Sequence, residues 1–278
     1  MTNPHGDTMT TRVNDFQFRI ATANGTGSQS ANLILLRSLF EMGVHVSGKN
    51  MFPSNISGLP TWFLVRVSEQ GYQAPADDTH IHVLMNKATW VEDLEEAESG
   101  SVVIFNTDVK LPVDRDDVIQ IPIPMTTMAR TINAKLARML ANVIYVGAMA
   151  ELVGISSTAL DNSIAIQFKG KSSAIDLNKE AAELGREWIR ENLSEKINLT
   201  IESRPIDEDI FMMEGNEAVA LGSLFGGLSF LSWYPITPSS SLAESIIDHA
   251  PEVRGTDDGE TVAVIQAEDE LAAIGMVI

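Results

Sequence analysis

Residues 16–23, FQFRIATA, alternate in polarity as a short strand does and run without a break into Asn24-Gly-Thr-Gly-Ser-Gln-Ser30. Leu33, Ile34, Leu36, Leu39 and Phe40 then follow at helical spacing. Strand, glycine-bearing loop and helix, in that order, form a unit that buries its apolar surface in a sheet covered by helices. The chain is therefore expected to be α/β, beginning with a Rossmann-like domain. Further strands are predicted at 81–85, 101–105 and 118–123, each apolar and bounded by polar residues or glycine.

Met128, Ile132, Leu136, Met139, Leu140, Val143 and Ile144 recur close to a 3.6-residue period, which predicts one long core helix over 127–153. A second helix is predicted over 179–192. Beyond it periodicity is lost and charge rises. The expected organisation is a disordered tail at 1–15, a first domain at 16–192, a linker at 193–211 and a second unit at 212–278. In that unit GNEAVALGSLFGG has helical period, YPITPSS at 234–240 is a turn, and 242–249 and 262–266 read as helix and strand. The closing AEDELAAIGMVI starts an apolar helix with no cap to end it, so the chain is expected to continue.

The 278 residues are 44% hydrophobic and 21% charged, as in a folded protein. Of the net charge of -19, residues 201–278 contribute 15 acids against Arg204 and Arg254, leaving -13 there and -6 before them. That sign disfavours nucleic acid and anionic membranes as partners. Cysteine is absent, so this chain supplies no disulfide and no thiolate for zinc or an iron–sulfur cluster. The N-terminus has no signal-peptide core, and 221–236, the longest weakly polar stretch, is too short for a membrane span. A cytoplasmic location is expected.

Several segments can carry chemistry. The amides of the Asn24–Ser30 loop can cradle an anion, although a tight structural turn explains the glycines equally well. Residues 47–62, rich in turn formers, read as a long loop in which Lys49 can meet a carboxylate or phosphate, or simply face solvent. Two prolines stiffen the chain around Thr237, a setting suited to a carboxylate; the alternative is a capping loop in which Ser239 or Ser240 serves the next helix. Glu268, Asp269 and Glu270 suit a helix start, where negative charge is favoured; the alternative is that Glu268, which directly follows an apolar strand, is buried at its carboxyl edge, where α/β sites gather. His80 and His82 share one strand face without a third ligand and read as structural.

At these segments the chain resembles a known family. GNEAVALGSLFGG, YPITPSS and QAEDELAAIGM together resemble the pyrimidine-binding domain of the alpha subunit of 2-oxoacid:ferredoxin oxidoreductases. Residues 16–192, with NGTGSQSAN and SGKNMFPSNISGLPTW, are similar to the gamma domain fused ahead of it in many such subunits. The resemblance implies a gamma domain followed by the incomplete start of a thiamine-diphosphate-binding domain. It further implies oxidative decarboxylation of a 2-oxoacid with coenzyme A, giving acyl-CoA, carbon dioxide and two reduced ferredoxins. A beta subunit would hold the diphosphate, its magnesium ion and an iron–sulfur cluster, in keeping with the lack of cysteine here. By position, Glu268 matches the glutamate that hydrogen-bonds the aminopyrimidine. Thr237 matches the threonine near the substrate carboxylate, with Tyr234, Ile236, Pro238 and Ser239 as its wall. Gly25, Gly27 and Lys49 fall where a CoA-binding or gating role is implied, although Ser28 and Ser30 replace glycines common in relatives. The fused order and the loop around Lys49 lean toward 2-oxoglutarate, with pyruvate and branched-chain 2-oxoacids as alternatives. A non-catalytic CoA- or nucleotide-binding or assembly module is the competing reading, and a fragment of this extent is expected to be inactive alone.

Overall fold

A computed structural model describes residues 11–52, 59–193, 197–206, 209–256, 259–260 and 262–278. The chain divides into two units, Met1–Asp207 and Glu208–Ile278.

The first unit is built on a six-stranded sheet. In chain order its elements are β1 (Arg12–Val13), β2 (Phe16–Ala23), α1 (Ser28–Glu41), β3 (Val46–Met51), β4 (Pro60–Val67), β5 (Ile81–Leu84), α2 (Trp90–Glu95), β6 (Val102–Asn106), β7 (Ile119–Ile123), α3 (Met125–Ile132), α4 (Ala137–Val153), α5 (Ser157–Gln167), α6 (Ser172–Asn192) and β8 (Leu199–Thr200). The order across the sheet is β3-β4-β2-β5-β6-β7. Strands β2, β5, β6 and β7 are parallel, and β4 runs antiparallel to both of its neighbours. Register places Phe18 beside Val65 and Ile81, and Ile20 beside Phe63 and Val83, so one face is a continuous apolar layer. Leu36 of α1 reaches this layer at Gly48, where a Cβ would lie 2.7 Å from the Phe63 ring. On the opposite face α2 covers Leu84, Val103 and Phe105 through Trp90.

Helix α4 is apolar all round and buried along most of its length, as a helix enclosed by other elements must be. It lies so close to α6 that a Cβ on Gly147 would stand 1.9 Å from the Ala182 carbonyl oxygen, and one on Gly185 2.1 Å from that of Ile144. Only glycine permits this approach from both sides.

Three expectations are corrected here. The single helix over 127–153 is two, α3 and α4, meeting at 114°. Asn133 is extended, and its Oδ1 accepts from the amides of Lys135 at 3.0 Å and Leu136 at 3.3 Å. A side chain that competes for backbone donors breaks the helix despite the continuing apolar period. The segment 47–62 is not simply a loop, because β3 and β4 take both its ends; alternation is obscured there by the polar residues of an edge strand. Residues 53–58 of that segment lie outside the described residues. Residues 12–14 of the expected tail and 199–204 of the expected linker belong to the first unit instead. Arg12–Val13 pairs in parallel with Leu199–Thr200, and buried Asn14 donates to the Glu202 carbonyl at 2.9 Å and accepts its amide at 3.0 Å. The Arg204 amide likewise bonds the Met42 carbonyl at 2.8 Å. Residues 1–10 of the expected tail lie outside the described residues.

The second unit comprises α7 (Gly215–Phe225), β9 (Phe230–Trp233), α8 (Ser239–Arg254), a two-residue antiparallel pair β10 (Gly255–Thr256) and β11 (Gly259–Glu260), β12 (Ala263–Gln266) and α9 (Glu270–Gly275). Strands β9 and β12 are parallel neighbours. Ala220, Leu224, Ile246, Ala250 and Val262 form its core. Among the described residues no single helix is long and apolar enough to cross a membrane.

Two measurements follow from this packing. Gly147→Ala or Gly185→Ala should destabilise the first unit by about 2–3 kcal/mol or prevent it from folding, since backbone rather than a yielding side chain blocks the new methyl; urea denaturation of each variant reads this. His82 is 1% exposed, with neither ring nitrogen in hydrogen-bonding geometry with a described residue. Burial, reinforced by the Arg19 charge, lowers its pKa from 6.5 to about 4, against a weak opposing pull from the Thr79 backbone. The folded state thus favours the neutral ring, so its contribution is complete above about pH 6.5 and is lost as pH falls toward 4. The loss should approach about 3 kcal/mol, and His82→Leu should flatten that part of the stability–pH curve.

Candidate functional site

The second unit brings its motifs together through strand register. Trp233 of β9 lies opposite Gln266 of β12, and the Ala267 amide bonds the Trp233 carbonyl at 2.7 Å. Tyr234 and Glu268 therefore leave the sheet at the same carboxyl edge, where ligand sites of parallel sheets gather. After Tyr234 the chain folds back on itself. The Ile236 amide bonds the Tyr234 carbonyl and the Ser239 amide bonds the Ile236 carbonyl, both at 2.8 Å. The Ser239 hydroxyl sits 2.7 Å from both of those carbonyl oxygens. Across this turn the Thr237–Pro238 peptide is cis. Ser239 thus stabilises the turn itself, and Pro238, with no side-chain acceptor, occupies the cap position of α8.

Burial sorts the candidates. Tyr234 and Ser239 are half-buried, while Ile236, Thr237 and Pro238 are exposed. Tyr234, Ile236 and Ser239 line an open cavity of about 360 Å³ with Trp233, Leu242 and Ile274; Thr237, Pro238 and Glu268 are not among its walls. Of the two readings of Glu268 the buried one does not hold: Glu268 is exposed in this chain, and Ala267 is the residue that turns inward. Helix-start chemistry falls to its neighbours instead. Asp269 Oδ1 accepts the Ala272 amide at 2.6 Å as the cap of α9, and Glu270 occupies the first turn. The Glu268 carboxylate makes no ion pair among the described residues and is available to accept a proton-bearing ring nitrogen. That carboxylate fits the hydrogen bond that the aminopyrimidine of thiamine diphosphate would ask of it.

In the first unit Gly25 and Gly27 adopt φ of 79° and 81°, left-handed conformations that favour glycine. The loop is held from several sides. Thr26 Oγ1 donates to the Ala23 carbonyl at 2.8 Å, Asn142 Nδ2 of α4 to the Thr26 carbonyl at 2.9 Å, and Thr22 Oγ1 to Ser28 Oγ at 2.9 Å. Gly27 caps α1 without a side-chain acceptor, which leaves the first amides of the helix open to an anion or to water. Lys49 does not join this loop. It is exposed on β3 opposite Leu64, on the face of Arg19, whereas its neighbour Asn50 reaches toward α1 and donates to Gln29 Oε1 at 2.6 Å. Exposed Lys87, Lys110, Arg130, Lys135 and Arg138 follow the carboxyl ends of β5, β6 and β7. The one acid among these segments, Asp108, accepts from the Thr127 amide at 2.8 Å and its hydroxyl at 2.6 Å.

Sequence reasoning missed the amide side chains that hold these loops, Asn142 in the first unit and Asn216 in the second. Asn216 Nδ2 donates to the Pro238 carbonyl at 2.8 Å and to Ser241 Oγ at 2.7 Å. An asparagine in the first turn of a helix is a possible signal, but its partners lie 22 and 25 residues away.

The family model described as pyruvate ferredoxin/flavodoxin oxidoreductase matches residues 17–188, and the thiamine-diphosphate-binding model of pyruvate flavodoxin/ferredoxin oxidoreductase matches 222–278. Among curated relatives, subunit alpha of 2-oxoacid:ferredoxin oxidoreductase 2 from Aeropyrum pernix is 26% identical over 95% of this chain and 49% of its own length. The 2-oxoacid:ferredoxin oxidoreductase subunit alpha of Saccharolobus solfataricus is 29% identical over 92% and 47%. The chain thus spans about half the length of these relatives. A solved 2-oxoglutarate:ferredoxin oxidoreductase from Magnetococcus marinus, with 2-oxoglutarate, coenzyme A and succinyl-CoA bound, superposes with a TM-score of 0.81 at 26% identity over 95% of this chain and 45% of that one. The keto/oxoacid ferredoxin oxidoreductase gamma subunit of Geobacter sulfurreducens shares the fold over 63% of this chain and 99% of its own, with a TM-score of 0.53 and 16% identity.

Because Thr237 and Glu268 are exposed, Thr237→Ala and Glu268→Gln should each leave the stability of this chain within about 0.5 kcal/mol. Chemical denaturation monitored through the tryptophans checks this, and a larger loss would mean that the residues serve the fold.

Proposed function

Because the chain belongs to the pyruvate ferredoxin/flavodoxin oxidoreductase family, we propose that it forms the front part of the alpha-type subunit of a thiamine-diphosphate-dependent 2-oxoacid:ferredoxin oxidoreductase in the cytoplasm. The reaction is oxidation of a 2-oxoacid with coenzyme A to acyl-CoA and carbon dioxide. A beta subunit would hold magnesium and an iron–sulfur cluster, and that cluster would supply the path for the two electrons released to two ferredoxins. The observation that carries this reading is the shared carboxyl edge of β9 and β12, from which the Thr237 turn and Glu268 both emerge.

Bound thiamine diphosphate supplies the carbanion-stabilising chemistry. Glu268 would hold the proton at a pyrimidine ring nitrogen, a task for a carboxylate that is not spent on capping or an ion pair. Thr237 would donate its hydroxyl to the substrate carboxylate, while Tyr234, Ile236, Pro238 and Ser239 shape the wall and exclude water. For coenzyme A we assign the Gly25–Gly27 amides and the exposed cations at the sheet's carboxyl ends, whose charge suits phosphates. Lys49 would meet an anion from the other sheet face. The substrate we favour is 2-oxoglutarate. Support comes from the likeness to the Magnetococcus enzyme and from 41% identity over 66 residues to the 2-oxoglutarate synthase subunit KorA of Methanocaldococcus jannaschii.

The test is coenzyme A-dependent viologen reduction by the full-length chain co-expressed with its beta partner, across a panel of 2-oxoacids. Turnover should be highest with 2-oxoglutarate, and Glu268→Gln should lower it by about 100-fold or more with the complex still assembled. Unchanged turnover in that variant would remove Glu268 from the reaction, and absence of turnover in a complex loaded with thiamine diphosphate and cluster would refute the assignment.

A further inference from the structure

We infer that Asn216 is a positioning residue for the 2-oxoacid, fixing the place of Thr237 by holding the Pro238 carbonyl. The inference rests on the proposed role of Thr237.

The bonds inside the Tyr234–Ser239 turn join residues at most five positions apart, so they make the turn one piece without anchoring it. An anchor must come from another element. Among the described residues Asn216 provides it from α7, through the 2.8 Å bond to Pro238 O and the 2.7 Å bond to Ser241 Oγ, a hydroxyl of α8 that itself lies 3.3 Å from the same carbonyl. Its helix, α7, is itself fixed in the core by fully buried Ala220 and Leu224. The chain of support therefore runs from the apolar core through α7 and one amide group to the carbonyl of the residue after Thr237.

The chemistry of the acceptor dictates the side chain. A carbonyl oxygen can be met only by a donor, and the asparagine amide supplies two hydrogens for its two acceptors. Aspartate has the same shape but would set a carboxylate oxygen against the Pro238 carbonyl. Asn216→Asp thus removes the bond without removing volume. A turn set free by a small distance costs most for the small ligand group it was oriented to meet.

The experiment uses the full-length chain in complex with its beta partner. Hydrogen–deuterium exchange comes first: Asn216→Asp should speed exchange in 239–241, with exchange in α4 and α6 unchanged. Steady-state kinetics should then show KM for the 2-oxoacid raised about 5- to 10-fold, with kcat, KM for coenzyme A and thiamine diphosphate content near wild type. Glu217→Gln, on the same helix as Asn216, removes the charge facing His249 of α8 at 3.5 Å and should leave all of these unchanged. Unaltered exchange in Asn216→Asp, or faster exchange with an unaltered KM for the 2-oxoacid, would overturn the inference. A parallel loss of coenzyme A affinity and cofactor content would assign Asn216 a merely structural role and overturn it equally. Wild-type turnover, measured beforehand, keeps these outcomes apart from failure of the proposed reaction.

Discussion

The backbone contact between α4 and α6 is the constraint on which the first unit depends. Gly147 and Gly185 let two helices meet with carbonyl oxygens where side chains would otherwise stand. With α6 so close, α4 is enclosed, and its neighbour α1 packs against the apolar face of the sheet. Two polar groups on α4 then act from a fixed position. Tyr145, fully buried, donates to Asn32 Oδ1 at 2.8 Å, and Asn142 holds the Thr26 carbonyl. Burial without a nearby cation raises the Tyr145 pKa, so the phenol stays a donor across the accessible pH range. The glycine loop is thus placed by a helix more than a hundred residues away in sequence.

Charge is distributed to match. The loops at the amino ends of the strands carry Asp77, Asp78, Glu98, Asp114 and Asp116 beside the ion pairs Glu69–Arg204 and Asp117–Arg115, whereas the carboxyl-end segments carry the exposed Lys87, Lys110, Arg130, Lys135 and Arg138. A net charge of -19 conceals this polarity. Counting acids and bases over the whole chain speaks to solubility and to broad classes of partner; only topology tells which end of a sheet an anion would meet.

The fold was legible in the sequence wherever one physical demand dominated. The strand, glycine loop and helix at 16–41 were readable because left-handed loop residues and an apolar period coincide there. The 133–136 corner was not, because the apolar period continues across a break that one asparagine side chain enforces. β3 escaped notice because an edge strand has no need to alternate cleanly. At the site, YPITPSS and the segment around Glu268 stood out by composition, but their nearness depends on the parallel pairing of β9 and β12, which no local pattern announces. The exposure of Glu268 could not be read either, since it turns on whether Ala267 or Glu268 points inward after the last paired residue.

Both loops that the chain offers for chemistry are built on the same physical plan. Each is held from within: by the Thr26 hydroxyl on the Ala23 carbonyl, around glycines that permit positive φ, in one, and by prolines and a serine hydroxyl in the other. Each is then tied to a core helix by an asparagine amide that donates to a loop carbonyl, Asn142 to Thr26 and Asn216 to Pro238. Trans peptide geometry sets a carbonyl and the following amide in opposite directions. Holding the Thr26 carbonyl inward therefore turns the Gly27 amide outward, toward whatever the loop meets. Pro238 is followed by Ser239, whose amide is already satisfied by Ile236, so the second loop exposes side chains rather than amides. One loop consequently presents amides, the groups that phosphate oxygens take, and the other a side-chain hydroxyl, the group that a carboxylate takes, a difference set by which loop carbonyl each asparagine holds.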